Sequence, residues 1–338
     1  MTTFWTQLKE TAGARLEGEH CHLTPATDER DSDTDTVVSP LPQYGFIRVK
    51  GPDANIFLQG QTTADFRRVT THSAQPGAYC TPKGRMVSSF VAACPVEHEV
   101  LLRMRRDIVV SSQAVLAKYA VFSKAELTDA SDQFIVLGLA GEQAPRLIEQ
   151  IFGEKPAAHW ASVTDGRALA VQTGQNEHTF ELWLPESDAF AHWQALSAQA
   201  TAVSSSTWND MNIDSGIADV CAATADELIP QMLNFDATGV VNFKKGCYTG
   251  QEVVARLHYR GTAKRRLYRA RVASGKTVEG DEVFAGDKTQ SVGVIATAAP
   301  SGKVLVVLAR DALESGDLRT ASGAALTEVL PPPYTVKE

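Results

Sequence analysis

The chain has 338 residues, of which 43% are hydrophobic and 21% charged, and its formal net charge is -8. This composition is typical of a soluble globular protein, and the length predicts two or three domains rather than a single core. The negative net charge argues against a dedicated binder of duplex nucleic acid, because such proteins usually carry a broad basic surface.

The N-terminus has no cationic start followed by an apolar run, so a signal peptide is not expected. No window approaches the roughly 18 consecutive apolar residues of a membrane span. The cysteines are scattered, odd in number and without a CxxC pair: Cys21, Cys80, Cys94, Cys221 and Cys247. This pattern favours a reducing cytoplasm and argues against both a disulfide framework and a structural zinc site. We therefore expect a cytoplasmic protein with no metal site and no membrane partner.

The first forty residues are predicted to be an extension outside the main fold. Residues 1–20 favour a short amphipathic helix with Phe4, Trp5, Leu8 and Ala12 on one side. Residues 24–36 contain five acids and little that is apolar, which is typical of an exposed linker. Folded structure is then expected to begin near Leu41.

Two α+β modules are predicted next, over residues 41–128 and 129–263. In the first, the expected elements are the strand YGFIRVKG, a helix from Pro52 to about Gly60, a β-hairpin turning at 95–98 and a helix over 107–119. In the second, they are the strand FIVLGLA, a helix over 142–152, strands near 168–172 and 179–184, and a helix over 186–200. Paired strands with a helix across them, appearing twice, suggest two related modules packed together.

Residues 264–338 are predicted to form a third, all-β domain. The runs RLYRARV, SVGVIATAA, KVLVVLAR and ALTEVL are short, β-rich and separated by clusters of Gly, Ser and Asp. Such a pattern is typical of a small antiparallel barrel or sandwich.

The segment FKKGCYTGQEVVARLHYRGTAKRR, residues 243–266, is the most informative in the chain. It surrounds Cys247 with cations in an otherwise acidic protein: Lys244, Lys245, Arg256, Arg260, Lys264, Arg265 and Arg266. Cationic neighbours favour the thiolate, so this cysteine is a candidate nucleophile or soft ligand. The flanking Gly246 and Gly250 allow a tight turn or a close approach of the backbone to a ligand.

The sequence resembles the bacterial YgfZ family, folate-binding relatives of the glycine-cleavage T-protein (aminomethyltransferase) that are linked to iron–sulfur cluster assembly or repair. The resemblance is carried by KGCYTGQE and by GPDANIFLQGQTTAD, TPKGRMVSS, KYAVFSK, WNDMNIDSGIADV and IPQMLNFDATGVVNFKKGCYTGQE, in that family's order. It covers roughly residues 41–335 and implies an α+β, T-protein-like ring of two related domains and a C-terminal antiparallel β-barrel around a folate-sized cavity.

The resemblance also implies roles for single residues. Aromatic residues at the positions of Tyr44 and Trp208 contribute to folate binding in the family, and Glu252 and Arg256 lie near the cavity. Cys247 matches the cysteine on which family function depends. Its motif neighbours here are Lys245, Gly246, Tyr248, Gly250 and Gln251.

One departure from the T-protein concerns the catalytic aspartate. Where aminomethyltransferases carry an Asp-Asp pair, this chain has Ser88-Ser89. A serine hydroxyl supplies neither the charge nor the basicity of a carboxylate near neutral pH. Aminomethyl transfer is therefore not expected, even if folate binds.

Each candidate also has a purely structural interpretation. Cys247 is an inert thiol if buried, Trp208 a core aromatic, Arg256 a solvated surface residue and Glu252 a helix N-terminal charge. Their functional interpretations are, in the same order, thiol chemistry, stacking on a pterin, a clamp on a folate carboxylate and a hydrogen bond to the pterin.

The remaining polar residues of these segments leave alternatives open. The run Lys264–Arg266 is either a solvated strand start or an attractor for a polyglutamate tail, a tRNA or a protein partner. His258 is a candidate base for Cys247, Tyr259 is ambiguous, and Lys83 and Arg85 are candidates for lining the cavity.

We predict a protein that binds tetrahydrofolate or a folate derivative, with or without a polyglutamate tail, and supports iron–sulfur enzymes or their assembly proteins through Cys247. A lone cysteine does not hold a cluster, which generally needs four protein ligands, so thiol exchange or transient ligation is expected. The alternatives are a folate-dependent one-carbon transferase and a scaffold with a vestigial folate pocket.

Overall fold

The computed structural model describes residues 2–24, 35–273, 275, 277–286 and 289–336. Contacts between residues divide the chain into two compact units, each built from three stretches of sequence. Unit 1 comprises Met1–Gln59, Asp65–Pro76 and Phe90–Trp208, and unit 2 comprises Gly60–Ala64, Gly77–Ser89 and Asn209–Glu338. Most of the predicted acidic linker, residues 25–34, lies outside the described residues. The domain boundaries predicted near residues 40, 128 and 263 stay predictions.

The helices and strands of the described residues alternate along most of the chain. The α-helices are α1 Thr3–Ala12, α2 Ala54–Gln61, α3 Val109–Ala117, α4 Ala144–Phe152, α5 Glu186–Ser197, α6 Ser205–Asp214 and α7 Gln251–Arg260. The strands are β1 Arg15–Glu17, β2 His20–His22, β3 Val37–Pro40, β4 Tyr44–Lys50, β5 Gln75–Cys80, β6 Met86–Val96, β7 Glu99–Arg105, β8 Glu126–Asp129, β9 Phe134–Ala140, β10 Ser162–Thr164, β11 Leu169–Gln172, β12 Thr179–Pro185, β13 Thr201–Ala202, β14 Arg265–Val272, β15 Glu282–Ala285, β16 Gly293–Ala298, β17 Lys303–Ala309, β18 Leu318–Thr320 and β19 Ala325–Leu330.

The N-terminal helix α1 belongs to the core of unit 1. Phe4, Trp5 and Leu8 lie on one face of α1 and are buried among residues of α4, α5 and the sheet beneath them. The backbone N–H of Phe4 donates to Oε1 of Glu186 at 2.7 Å, which satisfies one of the donors that a helix N-terminus leaves free. The predicted helix is confirmed. The prediction that folded structure begins near Leu41 is wrong, because α1 depends on partners almost 200 residues further along the chain, which no local pattern reveals.

A six-stranded sheet forms the centre of unit 1, with the strand order β10-β11-β12-β9-β3-β13. Every residue of β9 is buried, which accounts for the continuous apolar run FIVLGLA. Helices α4 and α5 contribute Leu147, Ile148, Trp193 and Leu196 to the core on this sheet. The strands and helices predicted for this part of the chain are confirmed to within two or three residues.

A second, five-stranded sheet has the order β5-β6-β7-β4-β8. Strands β6 and β7 form the predicted hairpin, and His98 in its turn adopts a positive φ of 65°. The ring of Phe46 on β4 packs against Trp183 on β12 at 5.3 Å and against Phe134 on β9 at 5.4 Å, measured between ring centroids. The two sheets therefore meet through aromatic side chains.

The C-terminal part of unit 2 is a closed barrel with the strand order β14-β17-β16-β15-β18-β19. All its described pairings are antiparallel. The α+β class and the C-terminal antiparallel barrel are thus confirmed. Strands β15 and β18 were not predicted, because four and three residues are too few to establish a period-two pattern.

Strand β17 explains how the barrel joins the rest of unit 2. Val304, Val306 and Leu308 face the barrel core, while Leu305 and Val307 face a second apolar cluster that includes Met86 and Val254. Successive side chains of a strand point to opposite faces. A strand buried on both faces is uninterrupted in its apolar character, as KVLVVLA is.

Truncating a buried residue of α1 tests whether this helix stabilises the fold. Leu8→Ala is expected to lower the free energy of unfolding by about 2–5 kcal/mol, since Leu8 is fully buried. Lys9→Ala, at an exposed position of the same helix, is the control and should change it by less than about 0.5 kcal/mol. Urea unfolding followed by circular dichroism measures both. Equal stability of the Leu8→Ala variant and the wild type would mean that α1 is a dispensable extension.

Candidate functional site

Cys247 lies in a loop that precedes α7 and is exposed. Two residues before it, the buried Lys245 donates from Nζ to the carbonyl oxygen of Thr62 at 2.5 Å. The same ammonium lies 5.2 Å from the centroid of the Tyr248 ring, a cation–π contact. The buried side chain of Lys245 therefore fixes the Cys247 loop to the backbone at Thr62.

Gly250 fixes the end of this loop against the turn at Thr81–Gly84. Its φ is 83°, and a Cβ added there would lie 2.4 Å from the carbonyl oxygen of Thr81 and 3.2 Å from Cα of Gly84. Position 250 therefore requires glycine, and its close neighbour is the protein's own backbone. At Gly246 a Cβ would meet no described atom within 4 Å, so packing does not require glycine there.

Helix α7 follows at once and carries the next candidates, beginning with the half-buried Gln251. Glu252 and Arg256 are both exposed and lie one turn apart, while Val254 is buried between them in sequence. The buried carbonyl of Val254 accepts from Nε2 of Gln231 at 2.8 Å. Glu252 stands in the first turn, where a negative charge also favours the helix dipole.

The TPKGRM segment lies beside α7. A Cβ at Gly84 would lie 3.0 Å from Cβ of Val253, which brings this turn against the first turn of the helix. Lys83 is exposed. Arg85 donates to the carbonyl of Asp226 at 2.9 Å and approaches the carboxylate of Glu227 at 3.4 Å, so it holds a neighbouring loop.

The two serines that replace the expected aspartates are buried at the start of β6. Ser88 is fully buried. Oγ of Ser89 accepts the backbone N–H of Val220 at 2.8 Å and donates to Oδ1 of Asp219 at 3.4 Å. A carboxylate therefore lies beside this position, supplied by a segment 130 residues away. Asp219 lies in the segment WNDMNIDSGIADV, which carries part of the resemblance, but nothing in that segment singles out this acid as a partner of Ser89.

The three basic residues at the start of the barrel, Lys264 to Arg266, differ in how deeply they are buried. Arg266 is buried, pairs with both carboxylate oxygens of Asp236 at 2.6 and 3.1 Å, and donates to the Gln231 carbonyl at 2.9 Å. Arg265 donates to the carbonyl of Ser291 at 3.0 Å, and Lys264 is exposed. The interpretation of the whole run as a solvated or anion-attracting segment is wrong for Arg266, because the inward-facing position of a strand buries it.

His258 stacks on Phe243, with ring centroids 3.6 Å apart and planes 12° apart. Tyr259 meets both rings edge-on, at 4.8 Å from His258 and 6.0 Å from Phe243. Within the described part of the chain no hydrogen bond joins His258 to Cys247. His258, which the sequence left open as a candidate base, is thus part of an aromatic cluster.

Tyr44 lies in unit 1 and is buried under a charged group. The Arg103 guanidinium stands 4.0 Å from the centroid of the Tyr44 ring. Arg103 also pairs with Glu181 at 3.0 Å, and Glu181 accepts from Nε1 of Trp183 at 3.1 Å. A buried arginine–glutamate pair with these added partners is satisfied on several sides.

Trp208 lies in the same unit and is 2% exposed. Atoms of its six-membered ring lie 2.5–2.7 Å from where a Cβ on Gly138 would stand, so the indole occupies space that only glycine leaves free. Gly138 is paired across the sheet with Glu181, and paired residues project on one face. Trp208 is therefore packed as a core aromatic residue. Its Nε1 has no hydrogen-bond partner among the described residues.

The cysteines differ sharply in exposure. Cys247 is exposed, and the other four, all within the described residues, are buried. Burial raises the pKa of Cys21 and of Cys80 to about 12 and also raises the pKa of Cys94. These buried thiols remain protonated at neutral pH, which leaves Cys247 as the accessible sulfur.

The described residues contain no group of three or more His, Cys, Asp or Glu side chains arranged to hold a metal ion. Of the helices they form, none is long and apolar enough to cross a membrane.

Comparisons with known proteins identify relatives over nearly the whole chain. Residues 35–230 match the model of the GCVT N-terminal domain. The tRNA-modifying protein YgfZ of Enterobacter sp. (strain 638) is 33% identical over 310 residues, which cover 90% of this chain and 94% of that protein. The tRNA-modifying protein YgfZ of Escherichia coli O7:K1 (strain IAI39 / ExPEC) is 30% identical over 305 residues, 88% of this chain and 93% of that protein.

The fold is similar to that of a solved T-protein. The glycine cleavage system aminomethyltransferase T from Bartonella henselae superposes with a TM-score of 0.74 over 96% of this chain and 95% of that chain, at 16% sequence identity. At this identity the likeness concerns the fold. The T-protein-like α+β fold predicted from the sequence is confirmed.

Thiol labelling tests the difference in exposure between the cysteines. Native protein treated with a thiol reagent such as iodoacetamide at neutral pH is expected to be modified at Cys247 alone, because the other four thiols are buried. Peptide mass spectrometry identifies the modified residue. Cys247→Ser should abolish the rapid labelling and Cys94→Ser should leave it unchanged. Rapid labelling of Cys80 or Cys221 in the native protein would contradict the structure.

Proposed function

The chain belongs to the YgfZ family of proteins with a GCVT N-terminal domain, and from this membership we propose that it binds tetrahydrofolate and supports the assembly or repair of iron–sulfur clusters in other enzymes. Its relatives are named as tRNA-modifying proteins, and we extend that process to this chain, in the cytoplasm. The observation that carries the proposal is the single exposed thiol, Cys247, in the motif KGCYTGQE.

The support for Cys247 is the way its loop is built. Lys245 below it and Gly250 after it are both fixed by backbone contacts, so the loop holds the sulfur at the surface in a defined place. A single thiolate exchanges with another sulfur or donates one bond to a metal, whereas a resident cluster requires about four ligands. The iron–sulfur cluster is therefore either passed on by this protein or already bound to the enzyme that it serves. Cys247 contacts the cluster only transiently.

Folate would be held by side chains that differ in what they offer. The buried Nε1–H of Trp208 is a donor only, and it has no partner among the described residues. Because the Trp208 ring is packed on Gly138, we assign it an edge-on hydrogen bond to the pterin rather than open-face stacking. Tyr44 is proposed as an aromatic wall. When bound, tetrahydrofolate supplies one-carbon or redox chemistry at its reduced pterin ring.

The two charged candidates stand exposed on α7. The Arg256 guanidinium matches a folate carboxylate in charge and in its fork of donors. Glu252 matches the amino group and ring N–H of the pterin as an acceptor. Both side chains thus match folate in charge or in hydrogen-bonding pattern.

Loss of Cys247 is expected to abolish the cellular function. In cells lacking this protein, the wild type and Cys94→Ser should restore the activity of iron–sulfur enzymes, including those that modify tRNA. Cys247→Ala and Cys247→Ser should not restore it, because neither side chain provides a thiolate. Enzyme activity is normalised to the amount of each variant measured by immunoblotting. Full restoration by Cys247→Ser would refute the proposed thiol chemistry.

Folate binding is tested separately with purified protein. Titration with tetrahydrofolate, followed by calorimetry, is expected to saturate. Arg256→Ala should weaken it about ten- to hundredfold, as expected for loss of a charge-assisted hydrogen bond. Trp208→Phe, which keeps a ring and removes the N–H, should weaken it about two- to tenfold. Trp193→Phe, a buried tryptophan of α5, is the control. Absence of saturable binding by the wild type would leave the scaffold interpretation.

A further inference from the structure

The C-terminal half of α7 and the residues around it form a basic and aromatic surface, of which the proposed folate site uses one residue, Arg256, and the proposed thiol chemistry uses none. We define this surface, the α7 basic face, by Lys244, Arg256, Tyr259, Arg260 and Lys264. All five side chains are exposed. We propose that the α7 basic face binds single-stranded RNA.

The charge of this surface stands out against that of the protein. The chain carries a net charge of -8, yet residues 243–266 contain a single acid, Glu252, at the opposite end of α7. Among the described residues, none of the four cations of the α7 basic face is joined to a carboxylate by an ion pair. Unpaired cations clustered on one face attract phosphate groups and release their counterions.

A structural interpretation accounts for part of this pattern. Cations near a helix C-terminus, such as Arg260, interact favourably with the free carbonyl groups there. That effect does not explain Lys244 or Lys264, which lie outside the helix. Nor does it explain an aromatic side chain exposed among them.

Tyr259 is that side chain, and it is 66% exposed. Its ring is held from the protein side by edge-on contacts with His258 and Phe243, which are themselves stacked at 3.6 Å. A supported aromatic ring with an open surface, flanked by cations, is the arrangement on which an unpaired base stacks while its phosphates meet the charges. Bases within a duplex do not expose their faces, so the predicted partner is single-stranded.

The loop geometry connects this surface to Cys247. Lys244 follows Phe243 of the aromatic cluster and stands three residues before Cys247. RNA on the α7 basic face would therefore lie close to the exposed thiol. The inference rests on the proposed role in tRNA modification and adds direct contact with the RNA.

The experiment measures binding of a fluorescein-labelled single-stranded RNA of about 12 nucleotides, a length suited to such sites, by fluorescence anisotropy with the full-length protein. We expect saturable binding that is tighter than to a duplex RNA of the same length. Tyr259→Ala should weaken binding about fivefold to a hundredfold, the range for loss of one base stack, and Tyr259→Phe should bind like the wild type.

A double charge reversal tests the electrostatic part. Arg260→Glu with Lys264→Glu should weaken binding. Between about 50 and 200 mM salt, the negative slope of log affinity against log salt concentration should become shallower by about 1–2. Lys9→Glu with Lys155→Glu changes the net charge equally at exposed positions outside the surface and should leave affinity within about twofold. Thermal unfolding by circular dichroism verifies that the variants fold.

Three results would overturn the inference. They are no saturable binding of the single strand by the wild type, equal affinity of Tyr259→Ala and the wild type, and an equal loss in the Lys9 and Lys155 control. Because the measurement uses neither folate nor cluster enzymes, and because its variants leave Arg256 and Cys247 intact, failure of the proposed function would not by itself change the outcome.

Discussion

The close contact of Gly250 with the backbone at Thr81 is the constraint on which the candidate site depends. A Cβ at position 250 would lie 2.4 Å from a carbonyl oxygen, so no other residue allows this approach without a shift of the main chain. The contact fixes the point at which the Cys247 loop ends and α7 begins. Cys247 lies three residues before this contact and Glu252, Arg256 and Tyr259 lie after it on α7, and all four side chains are exposed.

The same loop shows why a cluster of cations in a sequence is a poor measure of local charge. Lys245 is buried and donates to Thr62, and Arg266 is buried and paired with Asp236, so two of the seven cations near Cys247 serve the fold. Four of the others are exposed and make a basic surface: Lys244, Arg256, Arg260 and Lys264. The charge pattern thus has a binding component and a structural one, and only burial separates them.

Sequence patterns predicted most of the fold because the hydrophobic pattern of most elements can be read from neighbouring residues alone. The apolar residues of β9 and β17 are continuous because both faces of each strand are buried, and β6 and β7 are two apolar strands joined by a short polar turn. Features set by distant partners were missed. The N-terminal helix depends on Glu186, and Asp219 reaches Ser89 across 130 residues. The motif and its family resemblance located Cys247, but whether the thiol was exposed depended on packing.

Ser89 and Asp219 form a hydrogen-bonded pair at the position where aminomethyltransferases carry an Asp-Asp pair. The pair shows how a T-protein-like fold accommodates serine there. The Ser89 hydroxyl lies 3.4 Å from the Asp219 carboxylate and donates to it. An aspartate at position 89 would bring two carboxylates together at a buried position, and one of them would be forced to take up a proton. The Val220 N–H that Ser89 accepts would also need a new geometry. Serine at 89 therefore suits an acid at 219, because its hydroxyl donates to a carboxylate that a second carboxylate would repel.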